Sequence, residues 1–159
     1  MNAESKQQLY DGVSQRLKNL IAGETDLIAV MATAACELRH AFDYFDWTGF
    51  YRVVEPGLLK IGPYQGTHGC LTIPFEKGVC GAAARLRKTQ IVPDIREFPG
   101  YIACSSSTCS EIVVPVLTSA GVLVGVLDVD SDRLDAFDKV DAANLEKICL
   151  MVGAVHLGG

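Results

Sequence analysis

The sequence has no cluster of Lys and Arg, no apolar run long enough to cross a bilayer, no CxxC pair and only three histidines. Each absence excludes something. Fourteen basic residues against nineteen acidic ones leave a net charge of −5, which disfavours nucleic acid and anionic membrane as partners. No apolar stretch reaches the ~18 residues of a transmembrane helix. The polar opening MNAESKQQLYDGVSQ lacks the apolar core of a secretory signal. A cytoplasmic protein is expected. Six cysteines in a reducing compartment are not expected to be permanent staples. Each is a buried small hydrophobe, a metal ligand or a working thiol, and its surroundings must decide. Cys70, Cys80 and Cys104 stand apart in sequence, without paired spacing or a histidine-rich partner set, so a zinc site is disfavoured. Cys104 and Cys109 lack the second pair that a metal site would need. A papain-like arrangement needs a basic histidine near the thiol, and only His68 is at hand, in an unspecific position.

What is present suits one ordinary domain. The 159 residues are 49% hydrophobic, with slightly positive mean hydropathy, enough to bury a core and too apolar for disorder. Residues 3–22 carry Leu9, Val13, Leu17, Leu20 and Ile21 at helical spacing, ended by Gly23. Thr25 is placed to cap a second helix with the stripe Leu27, Val30, Met31, Ala34 and Leu38. Cys36 in this helix reads as a packed core thiol, and His40 at its end as a solvated side chain. DWTGFYRV, residues 46–53, reads as a strand with Trp47, Gly49 and Tyr51 on one face. Gly49 between two large rings leaves a gap where a small ligand can lie, although core packing explains such rings as well. A turn at 55–57 leads to a second strand, LLKIGPY, and residues 70–75 read as a third. VCGAAARL opens a helix, in whose first turn Cys80 would face unsatisfied N–H groups that favour thiolate. TQIVPDI is a short strand, and FPGYIACSSSTCS a polar loop of small residues. A final helix from Asp138 turns Val140, Leu145, Ile148, Cys149, Val152 and Val155 inward, with His156 frayed beyond it. The order α-α-β-β-β-α-β-β-β-α, with hairpin-linked strands, predicts an α+β domain: a central antiparallel sheet flanked by helices over 1–159, the N-terminal helix occupying 1–24.

The last two strands, EIVVPVL and GVLVGVLDVD, permit a sharper inference. A two-residue hairpin loop places Glu111 opposite Asp128, and a four-residue loop places it opposite Asp130. Either register puts Glu111, Asp128 and Asp130 on one face, whereas a three-residue loop separates them. Like charges so close require a proton or a cation between them. Thiol redox chemistry fits this inventory: an exposed thiolate in a polar loop, a second thiol to resolve the oxidised product, and proton donors nearby. Cys80 at a helix start is the most activated thiol on local grounds. Cys104, seven residues before Glu111, is the best placed to meet substrate and acid together. The pattern leaves the choice open.

GCLTIPFEKGVCG, FPGYIAC, SEIVVPV and GVLDVD, with DWTGFY upstream, closely resemble the GAF-type free methionine-R-sulfoxide reductases, from about Leu27 to the final helix. The resemblance implies a GAF-like fold and reduction of free L-methionine-(R)-sulfoxide without a cofactor. It implies Cys104 as the nucleophile, left as a sulfenic acid, Cys70 as the resolving thiol that forms a disulfide with it, and Cys80 as an alternative resolver. A thioredoxin-like reductant would restore the thiols. Glu111, Asp128 and Asp130 would hold the substrate ammonium and protonate the sulfoxide oxygen, and Trp47 and Tyr51 would enclose the methylsulfinyl end. A homodimer is implied by analogy with other GAF domains, and a role in the response to oxidative stress goes with the activity. The chain departs from the family pattern HIACD at Tyr101 and Ser105, leaving fewer charges around Cys104, and in carrying Cys109, which reads as a loop filler or an additional thiol. Two other readings use the same residues: a non-catalytic GAF module that binds a small ligand, and a peroxide-sensing thiol protein. No appended kinase, cyclase or DNA-binding segment is expected from the sequence, which disfavours the first. The second has no need of the aromatic and acidic residues.

Overall fold

The computed structural model describes residues 1–155, so the expectation for His156 lies outside the described residues. Two helices come first, α1 (Ala3–Leu20) and α2 (Leu27–Ala41), then three strands, β1 (Trp47–Glu55), β2 (Leu58–Gln65) and β3 (Thr72–Pro74). Helix α3 (Gly78–Leu86), strand β4 (Gln90–Val92), a single 3-10 turn at Ile95–Glu97, the hairpin β5 (Ser110–Leu117) and β6 (Leu123–Ser131), and α4 (Lys139–Ala154) complete the order. The strands form one sheet in the order β3-β2-β1-β6-β5-β4, and every neighbouring pair is antiparallel. This is the α+β architecture expected from the order of elements.

Period-two alternation splits the sheet into two differently used faces. Phe50, Ile112, Val114, Val116, Leu127 and Val129 point into one core with Val13 and Leu17 of α1, Met31 and Leu38 of α2, and Leu145, Ile148 and Cys149 of α4. Trp47, Tyr51, Val113 and Val126 point the other way, against Val79, Cys80 and Ala83 of α3. Three helices therefore cover one face. The other is only partly covered, by α3 and the long loop before β5. That second face carries the acids and thiols.

Several local expectations are corrected. The buried stripe of α1 is Lys6, Tyr10, Val13 and Leu17, while Leu9 and Leu20 are 38% and 59% exposed. The helix rolls away from them because Lys6 and Tyr10 have better partners. The cap of α2 is Asp26, whose carboxylate accepts from the N–H groups of Ile28 and Ala29; the Thr25 N–H instead donates to Glu24. Cys36 is half-buried at the surface, its sulfur 3.7 Å from His40 Nδ1, and is no core thiol. The third strand is shorter than expected, because only Thr72–Pro74 find partners on β2.

The polar surprise is a buried cluster tying the N-terminal helix to α4. Asp138 and Asp141 form a capping box at the start of α4. Lys6 Nζ donates to Asp141 at 2.7 Å and to Asp138 at 2.9 Å, and the hydroxyls of Tyr10 and Tyr44 both donate to Asp141 at 2.7 Å. Burial alone would lower the Lys6 pKa, but hydrogen bonds and charge attraction from the two carboxylates outweigh it and raise it. Asp141 is fully buried whereas the Asp138 side chain is 55% exposed. Lys6→Met removes the one ammonium facing a buried carboxylate and is expected to cost about 3 kcal/mol of unfolding free energy. Asp138→Ala, at the wet end of the cluster, should cost only about 1 kcal/mol as a lost cap. Urea melts of the two variants check the ranking.

Candidate active site

The hairpin decides the acidic cluster. Through its body β5 pairs with β6 so that Glu111 is opposite Asp130 and Val113 opposite Asp128, the register of the longer of the two loops considered. The connection is Thr118–Val122, one residue longer than four, and a shift between Val116 and Leu117 absorbs the extra residue. Thr118 N–H and Val122 C=O close the turn at 2.8 Å. Glu111, Asp128 and Asp130 consequently share the open face, together with Trp47 and Tyr51, since Trp47 lies opposite Asp130 and Gly49 opposite Asp128.

As three carboxylates these groups would all be acceptors. Asp128 Oδ1 and Asp130 Oδ1 are buried and have no hydrogen-bond partner. Burial, reinforced by the neighbouring Asp128 and Asp130 charges, pushes Glu111 well above the ordinary carboxylate range. Burial and the Asp128 charge do the same to Asp130. Asp128 is raised by burial too, but hydrogen bonds from Glu111, Cys80 and Asp130 act in the opposite direction. Burial and mutual repulsion thus favour protons held among Glu111, Asp128 and Asp130 over three bare carboxylates.

The three thiols of this face have different settings. Cys70, just before β3, and Cys104, in the loop before β5, are joined in a disulfide with Cα atoms 5.4 Å apart. Cys80 is a free, fully buried thiol. Burial, and then the charges of Asp128, Glu111 and Asp130, push its pKa well up. The expectation that the helix start would favour thiolate fails here: the peptide dipoles of a nine-residue helix are outweighed by dehydration and by three acids at close range. Gly81 lets α3 lie tightly against the end of β3, because a Cβ there would stand 2.7 Å from Phe75 O and 2.8 Å from Pro74 O. Cys109 is a half-buried free thiol whose sulfur lies 3.6 Å from Ser107 O.

Trp47 does not stand beside a gap over Gly49, as expected; its ring fills it. A Cβ at position 49 would meet the Trp47 ring at 2.7 Å and Tyr64 Cβ at 2.3 Å. Trp47 stacks at 5.2 Å on Tyr64 and at 6.0 Å on Tyr51, and its indole N–H donates to Thr67 O at 2.7 Å. The site-facing surface of this stack is one wall of a hollow lined by Trp47, Tyr51, His68, Gly69, Cys104, Ser105, Asp128 and Asp130. A second hollow is lined by Cys80, Tyr101, Ile102, Cys104, Glu111, Asp128 and Asp130, with Ile73 and Val79. The two share Cys104, Asp128 and Asp130. Each has a volume of about 20 Å³, room for about one water molecule. All eight residues singled out from the sequence therefore lie in or against one region, with Cys70 joined to it through its bond to Cys104. A larger hollow of about 500 Å³ lies elsewhere, between Arg87, Lys88, Pro115 and Leu150, and contains no thiol. Sequence reasoning missed His68, Ile73, Val79 and Ile102 as wall residues, and Tyr64 as the ring behind Trp47. For His68 a signal existed in its place two residues before Cys70, which the disulfide carries to Cys104.

A chain with this sheet order, helices on one face and a small enclosed site on the other has the architecture of a GAF domain, and a GAF domain model matches residues 22–154. GAF domain-containing protein A of Dictyostelium discoideum is 44% identical, over 91% of this chain and 90% of that protein. The free methionine-R-sulfoxide reductase of Saccharomyces cerevisiae is 36% identical, over 93% and 86%. The X-ray structure of free methionine-R-sulfoxide reductase from Neisseria meningitidis in complex with its substrate superposes with a TM-score of 0.89 at 41% identity, covering 95% and 90%. The chain belongs to the GAF-domain family, among relatives named free methionine-R-sulfoxide reductase.

The acid cluster carries a pH dependence that a substitution can expose. Groups whose folded pKa is raised hold protons in the native state that the unfolded chain has already lost, so they make folding less favourable as pH rises above the ordinary carboxylate range. Glu111→Gln mimics the protonated form and removes this term. The variant's melting temperature relative to the parent is expected to rise between about pH 5 and about pH 8. A pH-independent difference in thermal melts would show Glu111 to be ordinarily ionised.

Proposed function

We propose that the chain reduces free L-methionine-(R)-sulfoxide to methionine by thiol chemistry at Cys104. The observation that carries this reading is the placement of a Cys70–Cys104 disulfide against a triad of buried acids and an aromatic wall, in two small hollows that share Cys104, Asp128 and Asp130. The relatives named for that activity support it.

In the reduced protein, Cys104 as thiolate attacks the sulfoxide sulfur while Glu111 or Asp130 gives a proton to the oxygen. Attack forms a bond between the two sulfurs. The protonated oxygen then passes from the methionine sulfur to Cys104 as the sulfur–sulfur bond and the original sulfur–oxygen bond break. Methionine leaves with its electron pair restored, and Cys104 becomes a sulfenic acid. Cys70 then attacks that sulfur, expelling water and forming the disulfide. An external dithiol, a thioredoxin-like protein in this proposal, takes over the disulfide and returns both thiols. Tyr101 and Ser105 stand beside Cys104 where the family pattern has His and Asp, so the reaction relies on protonation of the sulfoxide oxygen by the acid cluster more than on a neighbouring base. Cys80, buried beside Asp128 and sharing a hollow with Cys104, is the alternative resolver.

The ammonium group of a free amino acid is the cation that the acidic triad lacks. Asp128, whose Oδ1 has no partner, takes it, and Trp47 and Tyr51 enclose the methylsulfinyl end. A methionine inside a polypeptide has an amide where the ammonium should be, so it leaves the acids unpaired in a closed site. With the disulfide closed, hollows of about 20 Å³ do not hold an amino acid. Substrate therefore enters the reduced form, in which the loop bearing Cys104 is released. The whole chain acts as one catalytic unit in a reducing cytoplasm, as part of the response to oxidative stress, and pairing of two copies is the expected assembly by analogy with other GAF domains.

Incubation with free methionine-R-sulfoxide and dithiothreitol should yield methionine, and Cys104→Ser should abolish it, by about a thousandfold or more. Cys70→Ser should complete a first turnover at close to the parent rate but lose multiple turnover with thioredoxin. Full activity in the Cys104 variant would move the nucleophile elsewhere. Ligand binding without methionine formation would favour a regulatory GAF module.

A further inference from the structure

Folding brings together a donor set that no spacing in the sequence announces. Cys80 Sγ from the first turn of α3, a carboxylate oxygen of Glu111 from β5 and one of Asp128 from β6 all lie within 4.8 Å of one another, and all three residues are buried. Among the described residues, no Lys, Arg or His lines the hollow around them. Asp128 Oδ1, on a residue only 6% exposed, meets no hydrogen-bond donor there. The hollow itself has a volume of about 20 Å³, the scale of one water or one monatomic ion. We infer that Cys80, Glu111 and Asp128 form a site for a single thiophilic divalent cation of the zinc class, present in the closed, disulfide-bonded form of the protein.

Geometry and donor chemistry both point to such an ion. Zinc sits about 2.3 Å from a thiolate sulfur and about 2.0–2.2 Å from a carboxylate oxygen, so tetrahedral ligand atoms stand about 3.5 Å apart. The three donors, within 4.8 Å of one another, need to close by about 1.3 Å at most to reach that spacing, and they come from three separate elements held by the sheet and by α3. One sulfur with two oxygens favours zinc, cobalt or cadmium over magnesium, which prefers six oxygens and keeps its water. Three protein ligands leave a fourth position for water from the hollow. Cys70 and Cys104 are already bonded to each other in this form, so Cys80 is the thiol available to the metal in this region. A neutral water would leave the acids dependent on shared protons, whereas a dication gives every donor a partner at once. The inference goes beyond the reductase reading and does not depend on it.

The test uses the untagged full chain, oxidised so that Cys70 and Cys104 are closed, and needs no substrate. Titration with Co²⁺ is expected to give a thiolate-to-metal charge-transfer band saturating at one ion per chain. Zn²⁺ should displace it, while excess Mg²⁺ should not. Cys80→Ser should abolish the band and weaken Zn²⁺ binding by at least about tenfold in calorimetry, the smallest loss that even outer-shell partners cause. Thermal melts should show Zn²⁺ raising the melting temperature of the parent and not of that variant. The control is the exposed pair Cys36 and His40, whose sulfur and Nδ1 are 3.7 Å apart. A band that survives Cys80→Ser and vanishes in Cys36→Ser would place the metal there and overturn the assignment. Absence of a band in the parent, or equal binding of Mg²⁺, would overturn it as well. Because Co²⁺ is read on the parent itself, a misfolded variant does not shield the proposal.

Discussion

The register of the β5–β6 hairpin is the constraint on which the rest depends. Side chains alternate faces along a strand, so a slip of one residue by either strand would turn its acids through the sheet. Glu111 or Asp128 would then stand among Phe50, Leu127 and the helices behind them, where an unpaired carboxylate is untenable. The same slip would bring Ile112 or Leu127 to the open face. Packing of the helical core thus enforces the geometry of the site on the other side of the sheet, and the extra residue in the turn is absorbed where it disturbs neither.

The two faces divide the work. Behind the sheet, burial is nearly complete and the charged cluster is paired: Lys6, Tyr10 and Tyr44 meet Asp141. In front of it, acids are brought together with no cation opposite them, and two of their oxygens lack partners. That is a local cost in stability, sustained by the well-packed layer behind. It favours protons retained among Glu111, Asp128 and Asp130, and it leaves room in charge, though hardly in volume, for something positive. A substrate ammonium and a metal ion are two ways of meeting the same deficit. They differ in size, and the closed hollows suit the smaller.

The cysteines show how environment divides chemically identical groups. Cys104 and Cys70 sit at the ends of loops that can approach each other and are bonded. Cys80 is held by α3 against carboxylates and is driven toward the thiol form. Cys149 is packed into the helical core, where burial, and then the Glu146 charge, raises its pKa. Cys36, in a helix of small residues, lies off the stripe Val30, Met31, Ala34, Ala35 and Leu38 that α2 buries, and so sits half-buried at the surface.

Much of this was legible in the chain. Hydrophobic periodicity located the four helices and the strands, and the hairpin arithmetic placed three acids on one face whichever of two loops closed it, because both loops preserve parity. The run of motifs from GCLTIPFEKGVCG to GVLDVD pointed to the family. What the sequence could not decide depended on atoms distant along the chain. Lys6 and Tyr10 displaced Leu9 and Leu20 from the buried stripe of α1 because their partner Asp141 is more than 130 residues away. Cys80 looked activated by its helix and is not, since a dipole is a local property whereas dehydration and three neighbouring acids arrive only with packing. Trp47 looked like one wall of a gap and fills it, because Tyr64, from the next strand, stacks on it. Local pattern determined the elements and the parity of their side chains. The ionisation of each group and the space around it were settled only when the sheet closed, since charge and volume are felt through space and not along the backbone.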